Sequence, residues 1–415
     1  MPGPDEQPLR QNRDFGVVLI SQGISALGDA VSFIALPLLV FALSGSGLVM
    51  GIVGAVQALA DFAFALPAGS VADRRDRKQL LVIADLGRAI LTALIPVSVY
   101  LDGPTLAVVI LVAGPMSILR SVFRAAYVAA TPALVGRSNL ARATAIFEVV
   151  FSTGYIIGPA LAGILATTIG PGPTLAIDAL SYAVSVIGLL LVTRPLRPPS
   201  DRPPSRIVDD IREGIAYVAR DPVLRPLVLV VAVATAVYGP FVTVLTFRIV
   251  QDLGLPEAAL GVALTALGVG GVVGSILATR SPRLAGSGAM VLVSIACIGA
   301  SLLALAAFDA VPLLVVAAAA VGVSETWLGV ALVSLRTAAS PDVLLGRIAS
   351  VSRVASLGLQ PIGALAIGLI VDATSGTAAT AVMGLALCLV ALAFVPARAL
   401  RSASATRLAA VALGT

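Results

Sequence analysis

Histidine is absent from this chain of 415 residues. Without imidazole, metal sites that rely on it, Ser-His-Asp chemistry and imidazole proton relays are excluded. Lys78 is the only lysine and stands in Arg-Lys-Gln, so an ATP-driven pump would have no Gly-Lys-Ser/Thr phosphate loop. The two cysteines, Cys297 and Cys388, fall in separate apolar stretches and read as buried packing thiols, not as a bridge or metal site. Charge is scarce as well. Only 12% of residues are charged, against about 25% in soluble domains, while 58% are hydrophobic. With a mean hydropathy of +1.04, the composition is that of a membrane protein.

What is present is a succession of long apolar stretches. A helix needs about 20 mostly apolar residues to cross the hydrocarbon core. That criterion predicts twelve helical spans, at 15–43, 48–68, 80–101, 104–127, 140–168, 173–193, 224–250, 257–279, 288–308, 311–335, 344–371 and 377–397. The polar, Pro-rich start of the chain (1–14) has no short apolar region ending in a cleavage site and reads as a cytoplasmic tail.

Loop charges agree with that count. Arg10, Arg13, the Arg74–Lys78 cluster, Arg137, the Arg194–Arg225 segment, Arg280, Arg283, Arg347 and the Arg398–Arg407 tail all fall on one side. Asp102, Asp252, Glu257, Asp309 and Asp372 fall on the other, with Arg248 the lone basic residue near them. Because positive loops stay inside, both termini are expected in the cytoplasm and the chain in the cell membrane. The net charge of +5 is therefore an orientation signal and not a nucleic-acid footprint.

The expected organisation is a six-helix half at 15–193, a cytoplasmic linker at 194–223, a second half at 224–397 and a tail at 398–415. The linker turns amphipathic: Ile207, Ile211, Ile215 and Val218 share one helical face, as in a helix lying on the membrane surface. Two weak matches support a parallel repeat. Gly69-Ser70 corresponds to Gly274-Ser275, and Ala130-Thr131-Pro132 to Ala339-Ser340-Pro341, at similar offsets. Ala278 stands at the Asp73 position of the second copy.

Charges at lipid depth are expensive and are functional candidates by default. Asp29 lies roughly 21 Å into span 1, and Glu325 roughly 20 Å from the outer end of span 10, at the helical rise of about 1.5 Å per residue. With no histidine, proton coupling must use carboxylates, and these two are the leading candidates. The alternative for each is an interhelical ion pair or hydrogen bond. Glu148 sits nearer the inner end of span 5 and is a weaker candidate. Asp61 is expected to join the network of the charged loop. Arg124, Arg336 and Arg353 are read as snorkelling to the inner surface, and Asp85 with Arg88, three apart, as a local ion pair. Phe33, Tyr155, Tyr238, Phe241 and Trp327 are candidate cavity aromatics, although such side chains mostly pack against lipid or neighbouring helices.

The segment Gly69-Ser-Val-Ala-Asp73-Arg74-Arg75-Asp76-Arg77-Lys78 resembles the signature loop between helices 2 and 3 of the major facilitator superfamily, Gly-x-x-x-Asp-Arg-x-Gly-Arg-Lys. Asp76 stands where the family has glycine. The resemblance implies an all-α fold of twelve transmembrane helices in two pseudo-symmetric halves, with the substrate site between them. It gives Asp73 a gating role, bonded to the start of span 11 and to nearby arginines, with Gly69, Arg74, Arg77 and Lys78 in the same device. Gly154-x3-Gly158-Pro159-x3-Gly163 in span 5 is similar to the glycine-proline motif of drug/proton antiporters; the alternative is ordinary small-residue helix packing. Arg120 resembles the span-4 arginine that tunes a neighbouring carboxylate.

Two further stretches narrow the resemblance to the branch with macrolide efflux proteins and the enterobactin exporter. They are Leu27-Gly28-Asp29 followed by Ala35-Leu36-Pro37-Leu38-Leu39-Val40, and Thr131-Pro132-Ala133-Leu134-Val135. Proton-coupled export of a moderately hydrophobic small molecule is therefore expected, from a monomer in the lipid bilayer, with no enzymatic activity and no cofactor. The rivals are a siderophore exporter, a nutrient symporter and a non-transporting membrane sensor. Few charged groups near the midplane favour an apolar or weakly cationic cargo.

Overall fold

The computed structural model describes residues 8–65, 67–196, 207–281, 284, 286–341 and 344–406, without the side chains of Asp73 and of residues 207–211. The start of the tail, the Pro-rich middle of the linker, Arg283 and Arg407 lie outside the described residues, as do the side chains of Asp73, Ile207 and Ile211, so the contacts expected of Asp73 fall outside them too.

The chain is helical nearly throughout. Its elements are α1 (Arg13–Ser44), α2 (Gly47–Phe64), α3 (Pro67–Arg74), α4 (Arg77–Tyr100), α5 (Thr105–Val135), α6 (Leu140–Ile169), α7 (Pro171–Leu191) and α8 (Ile207–Arg220). After these come α9 (Leu224–Tyr238), α10 (Phe241–Thr246), a π-turn (Phe247–Asp252), α11 (Glu257–Arg280), α12 (Gly288–Ala307), α13 (Val311–Ala339), α14 (Leu345–Ala373), α15 (Gly376–Phe394) and α16 (Arg398–Ser402). Among the described residues, twelve helices are long and apolar enough to cross a membrane, α9, α10 and the π-turn together making the seventh. These are the twelve spans expected from hydropathy, with boundaries moved by a few residues at most ends.

The largest departures have local causes. Span 2 ends early, at Phe64, because Pro67 cannot continue the hydrogen-bond ladder and instead starts α3. What reads as a loop from Gly69 is therefore helical as far as Arg74. Only Arg75 and Asp76 break the path, and Asp76 caps α4 by accepting from the backbone N–H groups of Lys78 (2.9 Å) and Gln79 (3.3 Å). The aspartate in the family's glycine position thus starts the next helix. Span 4 runs on to Val135, eight residues past its expected end, through Pro132.

The helices pack into two compact units. One comprises residues 1–45, 56–202 and 256–265; the other comprises 46–55, 203–255 and 266–415. In the first unit α1 packs on α7 and α6, and α4 packs on α7 and α5. An apolar core lies at its terminal end, where Phe15, Tyr127, Phe147 and Phe151 form a chain of rings with centres 5.3–6.1 Å apart. Asn12 caps α1 through Phe15 N and donates to Leu134 O, while Asp14 accepts from the N–H groups of Thr193 and Arg194. These bonds fasten both ends of the first six spans together.

The second unit is built around α12 against α13 and α15, and α14 against α9. Arg248, in the π-turn, is buried. It donates to the carbonyls of Leu305 and Phe308 (each 3.2 Å) and pairs with Asp309 at 2.5 Å. Its charge is absorbed by the C-terminal end of α12, which explains a basic residue among acidic loops. The linker helix α8 docks on α14: Gly214 lies against Val351 and the Arg347 backbone, Glu213 pairs with Arg347, and Val218 is buried.

Candidate functional site

Polar side chains in the first unit line up at helical spacing on three helices. Gln22, Ser25, Asp29 and Ser32 occupy one stripe of α1; Asp85, Arg88 and Thr92 one of α4; Asp178, Ser181, Tyr182 and Ser185 one of α7. Most of them are buried, and Gln22, Asp29, Asp85, Arg88, Tyr182 and Ser185 are joined in one network at mid-span depth.

Arg88 is its centre. One terminal nitrogen donates to Asp85 Oδ1 at 2.9 Å; the other donates to Asp29 Oδ1 at 2.7 Å, Asp29 Oδ2 at 3.0 Å and Tyr182 Oη at 2.9 Å. Its guanidinium also lies 4.1 Å from the centre of the Tyr182 ring, a cation–π contact. Tyr182 Oη donates to Asp29, and Ser185 Oγ to Asp85, while Gln22 Nε2 reaches Ser185 Oγ at 2.6 Å. The local Asp85–Arg88 pair expected from sequence is thus present and joined to Asp29. The side chains of Asp85 and Arg88 are 0% and 4% exposed, that of Asp29 33%. One end of the network is sealed and Asp29 is its open end.

Gly28 lets α1 and α7 meet there. A methyl group at that position would overlap Ser181 Oγ and come within 2.7 Å of Asp178 Oδ1. The Gly28-Asp29 dipeptide therefore has a physical role at both positions: closeness to α7, then the carboxylate for Arg88.

The span-5 motif divides its glycines between two neighbours. Gly154 lies against the backbone of Ala26 and Leu27, and Gly158 against Ala30, both on α1. Gly163 faces α11, where a methyl would come within 3.0 Å of Ala258 Cα, and Pro159 O lies 2.5 Å from the methyl position of Gly261. The motif holds α6 against the helix that carries Asp29.

Arg120 does not reach Asp29. It pairs with Asp61 at 2.8 Å, and Ser121 Oγ donates to the other oxygen of Asp61 at 3.2 Å. Asp61 thus spends its charge on α5, a partner different from the charged loop expected for it. In that loop Lys78 donates to the carbonyls of Leu190 (3.0 Å) and Val192 (2.6 Å), capping the end of α7. Arg77 is buried with Nε unpartnered, Arg74 is exposed, and Gly69 faces open space. Glu148 is exposed on α6, away from the network.

In the second unit Glu325 on α13 is exposed and accepts from Tyr238 Oη at 3.3 Å; Tyr238 stacks on Phe241 at 5.2 Å. Phe241 itself is buried. Trp327 is buried beside Ala278, Met290, Val323 and Val330, on the far side of α13 from Glu325. Phe33 and Tyr155 are about half exposed in the first unit, at 52% and 54%. Sequence reasoning missed Asp178, Tyr182, Ser185 and Gln22. The signal for them was the polar spacing inside otherwise apolar spans.

A profile of the transmembrane secretion effector family matches residues 6–412. The chain belongs to this family. Transmembrane secretion effectors form a branch of the major facilitator superfamily, so the chain is a multi-pass membrane protein of a transporter family and not an enzyme. Among relatives of this chain are the multidrug efflux pump Tap of Mycolicibacterium fortuitum, 27% identical over 86% of this chain and 89% of that one, and the enterobactin exporter EntS of Citrobacter koseri, 24% identical over 92% and 91%. Solved structures with the same fold include the nucleoside transporter NupG and a bacterial homologue of the lysosomal transporter Spinster. NupG has a TM-score of 0.75 at 14% identity, covering 93% of this chain and 99% of that one. The Spinster homologue has 0.70 at 15%, covering 96% and 98%.

Proposed function

We propose that this protein is a secondary active exporter of a moderately hydrophobic small molecule, driven by exchange for protons through alternating access. The observation that carries the reading is the open end of the Arg88 network. A carboxylate at mid-span depth is too costly to face lipid, so the exposed third of Asp29 belongs in a water-filled path. Protonating Asp29 removes its attraction to Arg88, which ties α1 to α4 and α7. Proton binding and helix rearrangement are thereby linked, as antiport requires. Glu325, bonded to Tyr238, is the corresponding carboxylate of the second unit.

Export is favoured over uptake by the similarity to Tap and EntS. The protein would act as a monomer in the cell membrane with both termini in the cytoplasm. Protons entering down their gradient would neutralise Asp29 and Glu325, and cargo would leave as they are released. The Gly69–Lys78 segment would gate the cycle, with Asp73 as its anchor.

EntS supports a second reading, a siderophore exporter. A highly anionic cargo needs free positive charge, whereas Arg120 is committed to Asp61 and Arg88 to three partners. An uncharged or weakly cationic cargo fits better.

Acid-loaded proteoliposomes containing the protein should accumulate ethidium, a lipophilic cation, for as long as the pH gradient lasts. Asp29→Asn or Glu325→Gln should abolish this accumulation at equal protein content. Gradient-driven accumulation intact in both variants would overturn the coupling assignment.

A further inference from the structure

Arg88 cannot satisfy every carboxylate around it. Three acids, Asp29, Asp85 and Asp178, share this one guanidinium as their cation. The described hydrogen bonds of Arg88 go to Asp29, Asp85 and Tyr182, and none goes to Asp178. Asp178 is nevertheless among the most enclosed side chains of the unit, at 1% exposure. Its Oδ1 accepts from Ser181 Oγ, one turn along the same helix, at 3.2 Å, and its Oδ2 has no partner. On α1, Ser32 lies one turn beyond Gly28, on the stripe that meets this carboxyl. The buried Ser32 Oγ is also without a partner.

An ionised carboxylate so buried, with one neutral donor and no cation bonded to it, costs several kcal/mol. The like charge at Asp29 adds to that cost. A carboxylic acid has the opposite needs: one oxygen accepts, and the other carries a hydrogen that wants an acceptor. Asp178 Oδ2 and Ser32 Oγ lie near one another: a protonated Oδ2 donates its hydrogen to Ser32 Oγ, whereas an ionised one has only that neutral hydroxyl to receive from. The charges acting on Asp178 are Asp29 from α1 and Arg88 from α4; those of α6, Arg142 and Glu148, lie near its beginning.

We propose that Asp178 is a neutral carboxylic acid in this conformation and is a second proton carrier of the first unit, sharing Arg88 with Asp29. When a proton reaches Asp29, Arg88 loses that partner. The guanidinium, already against the ring of Tyr182 one turn from Asp178, then turns to Asp178, whose proton passes to water on the open side of the network at Asp29 as the carboxylate forms. One proton is taken up and one given off, with the positive charge moving between α1 and α7. The idea extends the antiport reading by naming a further coupling residue and rests on that reading for its second half.

Infrared spectroscopy of the reconstituted protein at neutral pH tests the first half without transport. The carbonyl band of a protonated acid should be present in wild type, lost in Asp178→Asn and retained in Asp85→Asn. In Ser32→Ala, which leaves the carboxyl in place, the same band should shift. A spectrum unchanged by Asp178→Asn would overturn the assignment. Should that variant not fold, an unshifted band in Ser32→Ala would overturn it. For the second half, Asp178→Asn should lose ethidium accumulation driven by the pH gradient while keeping exchange of ethidium for ethidium. Full gradient-driven accumulation in that variant would overturn the carrier role. Absence of gradient-driven transport in wild type would instead count against antiport itself, leaving the infrared result to stand alone.

Discussion

Arg88 and Gly28 set what the first unit can do, one by charge and the other by lacking a side chain. A buried guanidinium is tolerated in a membrane span only while its charge is paired, and Asp85 and Asp29 pair with it. Removing Asp85 by substitution with alanine should therefore cost about 3–5 kcal/mol, the penalty for leaving a buried charge without its partner. Thermal unfolding in detergent would show this as a lower midpoint than that of Asp29→Asn, whose side chain is partly exposed. Equal midpoints would mean that the sealed half of the network carries no special load. Gly28→Ala should cost about 1–3 kcal/mol through overpacking against Ser181 and Asp178, a wild-type midpoint being the contrary result. At this scale the sequence was half legible. Asp29 and Glu325 stood out as lone acids in apolar spans, and Asp85–Arg88 as a pair. Asp178 was overlooked because its significance comes from α1 and α4, whose distance from it in sequence hides the contact.

Helix ends explain most of the remaining polar residues. Asp76 caps α4, Lys78 and Arg248 each bind carbonyls at the end of another helix, and Asp372 in α14 holds the start of α2. That last contact is made with Ser46 Oγ at 2.7 Å and Leu48 N at 3.0 Å, within the unit that includes residues 46–55. Two substitutions separate capping from sequence identity at the loop. Asp76→Ala should lower stability by about 1 kcal/mol, while Asp76→Gly, the residue usual in the family, should cost only a few tenths. Chemical or thermal unfolding of the two proteins checks the order, and a reversed order would contradict the cap. Helix existence was readable because apolar length alone decides it. The caps made by Lys78, Arg248 and Asp372 were not, because each joins residues far apart in sequence, as Lys78 does with Val192. Span 2 was misjudged in length for a nearer reason: Pro67 outweighs the apolar run around it.

Across the whole molecule the two units each keep a carboxylate at mid-span depth, Asp29 with Arg88 in one and Glu325 with Tyr238 in the other. The pattern is asymmetric, since the first unit holds a buried ionic network and the second a lone acid with a phenol. This asymmetry parallels the charged segment, whose second copy has Ala278 in place of Asp73. Composition and loop charge sufficed for the twelve-helix architecture, because a bilayer constrains every span in the same way. Coupling leaves no such uniform mark, and its direct test is reciprocity: if substrate and proton exchange, either gradient must be able to drive the other. Proteoliposomes loaded with ethidium, with no initial pH difference, should acidify their lumen as dye leaves, read by an entrapped pH dye. The account predicts protons moving inward as ethidium moves outward, and loss of that proton movement in Asp29→Asn. Ethidium leaving through the protein with no change in internal pH would contradict it.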